Sequence, residues 1–228
     1  MPMDLLRKAW QTVQGWSRRD SAHVVVLSFI VTAAIIHQSV LWFWYIEDAA
    51  ITFAYAKHVA MGEGLVPFIG GERVEGYSNP AWTFFLVPFS FVGFDLHALA
   101  RWLQVILLIP TFGATYLAAR ETFEGTSFGP VTSELPLVAP AVLAASAQFA
   151  VWTGSGLEMA LMNLFMAVAI WRSLVELRTG AFPWSALWWL GVTLSRPEAI
   201  LYAAVGGFCA MVGHLKAGRG SLPTVKWL

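Results

Sequence analysis

The first of several long apolar stretches in this chain, Ala22–Tyr45, runs without a break for 24 residues. A helix needs about 20 predominantly apolar residues to cross the hydrocarbon core of a bilayer. The apolar region of a cleavable signal peptide is shorter, at roughly 7–15 residues. The stretch therefore predicts a transmembrane helix that stays in the protein.

The composition extends this prediction to the whole chain of 228 residues. Hydrophobic residues make up 57% and charged residues 12%, whereas soluble domains carry about 25% charged residues. The formal net charge is zero, which gives no indication of a nucleic-acid partner. The single cysteine, Cys209, excludes a disulfide framework and a thiolate metal site. We expect an all-α, polytopic helical bundle that lies in a lipid bilayer.

Six segments are long or apolar enough to be predicted as spans, the last two of them short: 22–45, 99–119, 135–152, 157–174, 182–194 and 199–212. A seventh segment, Ala81–Phe94, is apolar but contains Pro88. If it does not cross, ten of the 14 Lys and Arg residues lie on the side of the basic N-terminus; if it crosses, six do. Basic residues favour the cytoplasmic side. The sequence thus predicts six spans, an interfacial or re-entrant helix at 81–94, and a cytoplasmic N-terminus.

This layout divides the chain into five parts. They are a cytoplasmic amphipathic N-terminus (1–21), the first transmembrane helix (22–45), an external loop with interfacial helices and an acidic motif (46–98), the remaining transmembrane helices (99–213), and a cytoplasmic basic loop with the start of a further helix (214–228).

Three polar turns face the external side in this layout: the turns at 47–48, 153–158 and 195–198. The last lies between two short arms, and a 13-residue helix rises only about 20 Å, less than the hydrocarbon thickness of about 30 Å. Irregular backbone at that depth is tolerated where it is buried in protein or lines a wet cavity. We therefore expect the three turns to converge on one pocket.

The pair Glu47-Asp48 is the first candidate for chemistry. A carboxylate at the mouth of a cavity can act as a general base on an acceptor hydroxyl. Asp is also a good N-cap residue, so Asp48 has a structural alternative as the cap of the helix predicted at 49–61.

A glycine-rich, charged segment at 70–80 follows. As a substrate-binding loop it would offer Arg73 for a phosphate, Glu75 and Asn79 for sugar hydroxyls, and Tyr77 and Trp82 for stacking. Its composition is equally typical of an ordinary surface turn.

The two later turns contribute Glu158, Arg196 and Glu198. Glu158 either binds substrate or a divalent metal, or suits the dipole at a helix start. Arg196, between two apolar arms, needs an anion. A lipid-linked phosphate is a natural one. In the structural alternative Arg196 pairs internally with Glu198, Glu158 or Asp48, or its side chain simply snorkels.

The segments 47–56, 62–66 and 71–83 together resemble the first external loop of GT-C-fold membrane glycosyltransferases. The nearest resemblance is to the cell-wall arabinofuranosyltransferases of mycobacteria and their relatives. Gly156-Leu157-Glu158 and Arg196-Pro197-Glu198 resemble later motifs of that family, in the same order. The resemblance covers about residues 40–200, and its long loop motif is more specific than the two short ones.

The resemblance implies an inverting transferase that moves a sugar from a polyprenyl-phosphate donor to a glycan or other envelope acceptor. The reaction would take place on the outer face of the bacterial cytoplasmic membrane. An acidic residue of the first external loop would be the base, for which Asp48 matches better than Glu47, and Arg196 would face the donor phosphate. The resemblance does not fix a metal requirement.

Family members are more than twice as long, so the resemblance also implies a C-terminal portion or a membrane-protein partner. The alternative is a non-catalytic GT-C-like subunit that packs in a larger complex. A transporter is disfavoured, because its polar residues would lie near mid-membrane at a repeat interface.

Overall fold

The computed structural model describes residues 18–74, 76–123 and 134–216. Most of the predicted amphipathic N-terminus, the helix predicted to start near the C-terminus, and the candidate Glu75 lie outside these residues. Within them the structure is helical and contains no strand, so the predicted all-α class is confirmed for this part of the chain.

Nine α-helices follow one another in the described residues: α1 (Arg18–Ser39), α2 (Asp48–Ala60), α3 (Pro80–Phe91), α4 (Leu96–Phe123), α5 (Val138–Ala145), α6 (Ala147–Thr153), α7 (Met159–Thr179), α8 (Ser185–Thr193) and α9 (Ile200–Lys216). Two short 3-10 helices, Leu135–Leu137 and Pro197–Ala199, precede α5 and α9.

Three of these helices, α1, α4 and α7, are long and apolar enough to cross a membrane. The segment Leu135–Ala145 and helix α6 form a pair bent by 66°, and they provide a fourth crossing if they count as one broken span. Helices α8 and α9 are shorter, at 9 and 17 residues. Length and composition thus support a membrane protein with three or four full-length spans.

The first predicted span ends earlier than expected. Helix α1 stops at Ser39, and residues 40–47 form turns, with the Leu41 N–H donating to the Gln38 carbonyl at 3.1 Å. The turns bring the ring of Tyr45 against Gly156, and the Tyr45 hydroxyl donates to the backbone carbonyl of His97. Asp48 consequently begins a new helix instead of closing the first one.

Helix α2 matches its prediction closely, since it runs to Ala60 and Gly62 follows it with a φ of 83°. Its apolar face carries Phe53, which is buried with Trp82 and Leu86 of α3 in one core cluster. This packing holds α2 and α3 together as a hairpin on the N-terminal end of α4.

Helix α3 has 12 residues, a rise of about 18 Å. At its start the Ala81 N–H donates to the Leu194 carbonyl at 2.8 Å, and the Trp82 indole N–H donates to the Gly156 carbonyl at 3.2 Å. Helix α4, which follows, begins beside Tyr45, itself in contact with Gly156. Both α3 and α4 therefore start at the same end of the bundle, and the interfacial or re-entrant placement of α3 stays a prediction.

The long helices α4 and α7 pack along each other and form the centre of the bundle. Helix α8 runs back along α7, where Trp189 and Val192 are buried against Met162 and Ala169. Because α7 and α8 are neighbours joined by the short segment 180–184, the start of α7 and the end of α8 meet. This meeting brings the turns around residues 158 and 196 together.

Candidate functional site

A cleft of about 220 Å³ opens where the start of α2, the segment before α3, the turn before α7 and the turn after α8 meet. Its polar lining residues are Asp48, Thr52, Tyr77, Ser78, Asn79, Glu158 and Arg196. The predicted convergence of three polar turns on one pocket is confirmed by this geometry.

Arg196 lies between two carboxylates. Its Nη1 donates to Glu158 Oε1 at 2.8 Å, and its Nε donates to Glu198 Oε1. The side chain of Glu158 is 2% exposed and that of Glu198 is 51% exposed, with Arg196 at 32%. Of the alternatives for Arg196, the structure has the internal pairs with Glu158 and Glu198, and contact with a phosphate stays a prediction.

The two carboxylates also set the charge state of this group. Burial acts to lower the pKa of Arg196, but hydrogen bonds and charges from Glu198 and Glu158 outweigh it, so the net pKa is raised. The pKa of Glu198 is lowered, first by a hydrogen bond that its carboxylate accepts from its own backbone N–H and then, against its slight burial, by Arg196. Arg196 and Glu198 are therefore both ionised at neutral pH.

Behind Arg196, Glu158 is held by a buried polar network. Its Oε2 accepts from Asn79 Nδ2 at 2.6 Å. Asn79 Oδ1 in turn accepts from the hydroxyls of Thr52 at 3.2 Å and Thr83 at 3.1 Å. Asn79, Thr52 and Thr83 are all buried. Asn79 thus lines the cleft as predicted, but its amide is engaged in orienting Glu158.

Thr52 and Thr83 are members of the site that sequence reasoning missed. Thr52 lies one helical turn after Asp48, and Thr83 lies one turn after Asn79, so each shares a helix face with a predicted residue. That spacing is the signal that could have identified them.

Asp48 differs from the other carboxylates of the cleft because it has no hydrogen bond or ion pair within the described residues. It is exposed and occupies the first position of α2. The N-cap position belongs to Glu47, whose side chain makes no capping bond. The capping alternative for Asp48 is therefore not found here, and its carboxylate is available at the cleft. Glu47 is exposed and is not one of the cleft residues.

The prediction that Trp82 stacks against a substrate is wrong. Trp82 is completely buried, its ring stacks on Phe85, and its N–H is used by Gly156. It belongs to the apolar core between α2, α3 and α4, where its large ring is removed from water. Tyr77 does line the cleft, with its ring 5.1 Å from that of Tyr55.

Arg73 is not brought to the cleft. It is exposed, and its guanidinium lies beside Gly64. Phosphate binding by Arg73 together with Arg196 has no support in this arrangement. Glu75 lies outside the described residues.

Gly156 shapes the turn before α7. Its φ is 89°, and a Cβ at this position would lie 2.5 Å from the ring of Tyr45. Glycine alone fits this combination of left-handed backbone and close approach. The carbonyl of Gly156 also accepts the Trp82 N–H, so this residue joins the three segments that carry Asp48, Asn79 and Glu158.

The described residues contain no group of three or more His, Cys, Asp or Glu side chains arranged to hold a metal ion. Comparisons with protein-family models, with curated proteins and with solved structures find no match to this chain. The fold and the site together define a helical protein that has, within its described residues, three or four candidate membrane spans and a compact polar cleft.

Proposed function

We propose that this protein is a membrane glycosyltransferase with a GT-C-like helical bundle. It would transfer a sugar from a polyprenyl-phosphate donor to a cell-envelope acceptor on the outer face of the bacterial cytoplasmic membrane. The observation that carries the proposal is the combination of a carboxylate with no partner among the described residues, Asp48, and a cation, Arg196, in the lining of one 220 Å³ cleft.

These two groups match the two charge changes of the reaction. Asp48 takes the proton of the acceptor hydroxyl as its oxygen bonds to the anomeric carbon. The bond from that carbon to the phosphate oxygen breaks, and its electron pair leaves with the polyprenyl phosphate. Arg196 stabilises the charge that develops on this phosphate. Attack from the face opposite the leaving group inverts the anomeric centre.

The surroundings of Arg196 allow a phosphate to bind without disturbing the buried part of the site. The side chain of its partner Glu198 is half exposed, and exposed ion pairs stabilise a protein by only about 0.2–1 kcal/mol. A phosphate can take the place of Glu198, while Glu158 continues to orient the guanidinium from behind. The cleft is smaller than the usual 300–1,000 Å³ of a site that encloses a whole ligand. It suits the reacting sugar, with the lipid chain outside.

The proposal is tested by Asp48→Asn, assayed as sugar transfer from polyprenyl-phosphate donors in membranes that contain the protein. Loss of a general base lowers the rate by about 10²–10⁴-fold. The matched control is Glu63→Gln, which removes an exposed carboxylate of the same external loop and should leave the rate unchanged. Transfer at the wild-type rate by Asp48→Asn would show that this carboxylate is not the base.

The six-span layout with its external cleft belongs to the same proposal. It requires Glu63 on the external side and Arg120, at the far end of α4, on the cytoplasmic side. Cysteines introduced at these positions in a Cys209→Ala background should react with an impermeant maleimide from outside only at position 63. Labelling of both positions from the same side would contradict the layout.

A non-catalytic GT-C-like subunit is the second candidate. It is favoured by the double pairing of Arg196, which leaves this guanidinium already neutralised in the structure. In that case the wild-type protein and Asp48→Asn would both be inactive with every donor. The cluster of Arg196, Glu158 and Glu198 would then be needed only for the protein to co-purify with the larger complex.

A further inference from the structure

A second and larger concavity, of about 630 Å³, lies between α2, the end of α3 and the start of α4. Its floor is apolar and includes Ala50, Phe53 and Ala54. Lys57, Asp95 and His97 supply most of the polar groups at its edge. We call this concavity the apolar groove. Its volume is in the range of sites that hold small organic ligands.

Helix α2 separates the apolar groove from the polar cleft. Asp48, Ile51 and Thr52 line the cleft, whereas Phe53 and Lys57, at a spacing of four residues, line the groove. No described residue lines both concavities. A molecule in the groove is therefore a separate ligand and not an extension of whatever occupies the cleft.

The rim of the groove is suited to lipid. Phe91, Val92 and Phe94 are 77%, 74% and 55% exposed, and Met61 is 53% exposed. An apolar patch of this kind on a membrane protein faces acyl chains or a binding partner. Its continuity with the apolar floor favours a chain that enters the groove from the bilayer.

The charges at the edge favour an anionic headgroup. Lys57 has no ion pair within the described part of the chain. Arg101, one helical turn after His97, does not line the groove, because its guanidinium lies over the Tyr45 ring, 4.5 Å from the ring centroid. The anion of the lining, Asp95, accepts a hydrogen bond from the His97 N–H at 3.0 Å. Among the described lining residues, Lys57 is thus the charged side chain left free to meet a ligand, and it favours an anion.

From these observations we infer that the apolar groove binds a bilayer phospholipid with an anionic headgroup. One acyl chain lies along Phe53 and Ala54, and the phosphate contacts Lys57, whose stem follows the apolar wall while its ammonium reaches the headgroup level. Basic residues beside membrane helices bind anionic lipids in this manner. The bound lipid stabilises the packing of α2 on α3 and α4, since any ligand that binds only the folded state does so.

Native mass spectrometry of the detergent-solubilised protein tests this inference by titration with dioleoylphosphatidylglycerol and, as the zwitterionic match, dioleoylphosphatidylcholine. The wild-type protein should bind the anionic lipid about fivefold more tightly, the ratio expected for one basic residue. Lys57→Gln should abolish the preference and Lys57→Arg should keep it. Arg73→Gln, which removes an exposed cation outside the groove, should behave as wild type.

Substitutions that fill the groove separate the contribution of its apolar wall to lipid binding from the contribution of the Lys57 charge. Ala54→Trp should weaken binding of both lipids, and Ala54→Leu, the smaller change, should do so partially. Unchanged binding in both Ala54 variants would overturn the site, and a retained preference in Lys57→Gln would overturn the headgroup contact. Undecaprenyl phosphate should not displace the phospholipid. Displacement that Ala54→Trp abolishes would make the donor chain the occupant and refute a resident phospholipid.

Discussion

The buried carboxylate of Glu158 organises the cleft, and Glu158→Gln tests this in a measurable way. One oxygen accepts from Arg196 at 2.8 Å and the other from Asn79 at 2.6 Å. A glutamine side chain has only one acceptor oxygen. Its NH₂ group would therefore face either Arg196 or Asn79, and two donors facing each other form no hydrogen bond. The substitution keeps the size of the side chain and removes one charge-assisted hydrogen bond.

The magnitude follows from the exposure of the partners. A hydrogen bond to a charged group contributes about 1.5–3 kcal/mol. Arg196 is 32% exposed and retains Glu198, so we expect the lower part of this range, about 2 kcal/mol. For a chain of 150–250 residues, each kcal/mol lowers Tm by about 2–4 °C. Glu158→Gln should therefore lower Tm by about 4–8 °C.

The assay is thermal unfolding in detergent, followed by tryptophan fluorescence. The matched control is Glu198→Gln, which removes the other carboxylate of the same arginine. Its side chain is 51% exposed, and exposed pairs contribute at most about 1 kcal/mol, so Tm should change by at most about 4 °C. A loss for Glu198→Gln as large as that for Glu158→Gln would refute the assignment of the buried carboxylate as the organising group.

Three further outcomes are expected. Gly156→Ala places a Cβ at a φ of 89° and 2.5 Å from a tyrosine ring, so it should lower Tm by several degrees in a melting experiment, whereas Gly113→Ala, with open space around it, should not. Glu176 accepts hydrogen bonds from the backbone N–H and the hydroxyl of Ser185 at the start of α8. Glu176→Gln should lower the free energy of unfolding, measured with denaturant, by about 1.5–3 kcal/mol. A variant as stable as the wild type would contradict a capping role for Glu176. The folded-state pKa of Glu198 is lowered, so the stabilisation that its carboxylate gives is complete above the usual glutamate pKa of about 4.3 and disappears as the pH falls through the lowered value. In acid unfolding, the stabilities of the wild type and Glu198→Gln should therefore converge at that low pH. A difference that stays constant with pH would contradict the lowered pKa.

The meeting of the turns at residues 48, 158 and 196 was predictable because it depends on segment order and segment length. Neighbouring antiparallel helices that are joined by short segments bring their ends together, and the order of the apolar segments places the three turns at one end. Helix α2 was predictable for a similar reason, since a glycine follows its apolar run. Both features follow from segment lengths, segment order and end signals that can be read directly in the sequence.

The end of α1 was not predictable from local signals. Residues 39–47 contain neither Gly nor Pro and are mostly apolar, so nothing in the segment marks the turn. The turns that follow the helix bring Tyr45 into contact with Gly156, which is more than one hundred residues away in the chain and so gives no local signal.

The role of Trp82 was mispredicted for a different reason. The segment 81–94 is apolar on every side, so periodicity cannot identify the face that is buried. An aromatic residue beside a polar loop then suggests a binding role, although its ring lies in the core. The partner choice of Arg196 was equally open, since three carboxylates were within the predicted pocket and only packing decides among them.

The cleft has a rigid half and an accessible half, and this division bears on how a ligand would bind. Glu158 is buried, and its two carboxylate oxygens are occupied by Arg196 and Asn79. Asp48 is exposed and has no partner in the part of the chain that the structure describes, and Glu198 is half exposed. A ligand that contacts Asp48 and replaces Glu198 meets a guanidinium whose orientation is already fixed from behind. Because the buried hydrogen bonds need not break, the reorganisation on binding is confined to side chains that are already in contact with water, which is the arrangement that electrostatic preorganisation requires.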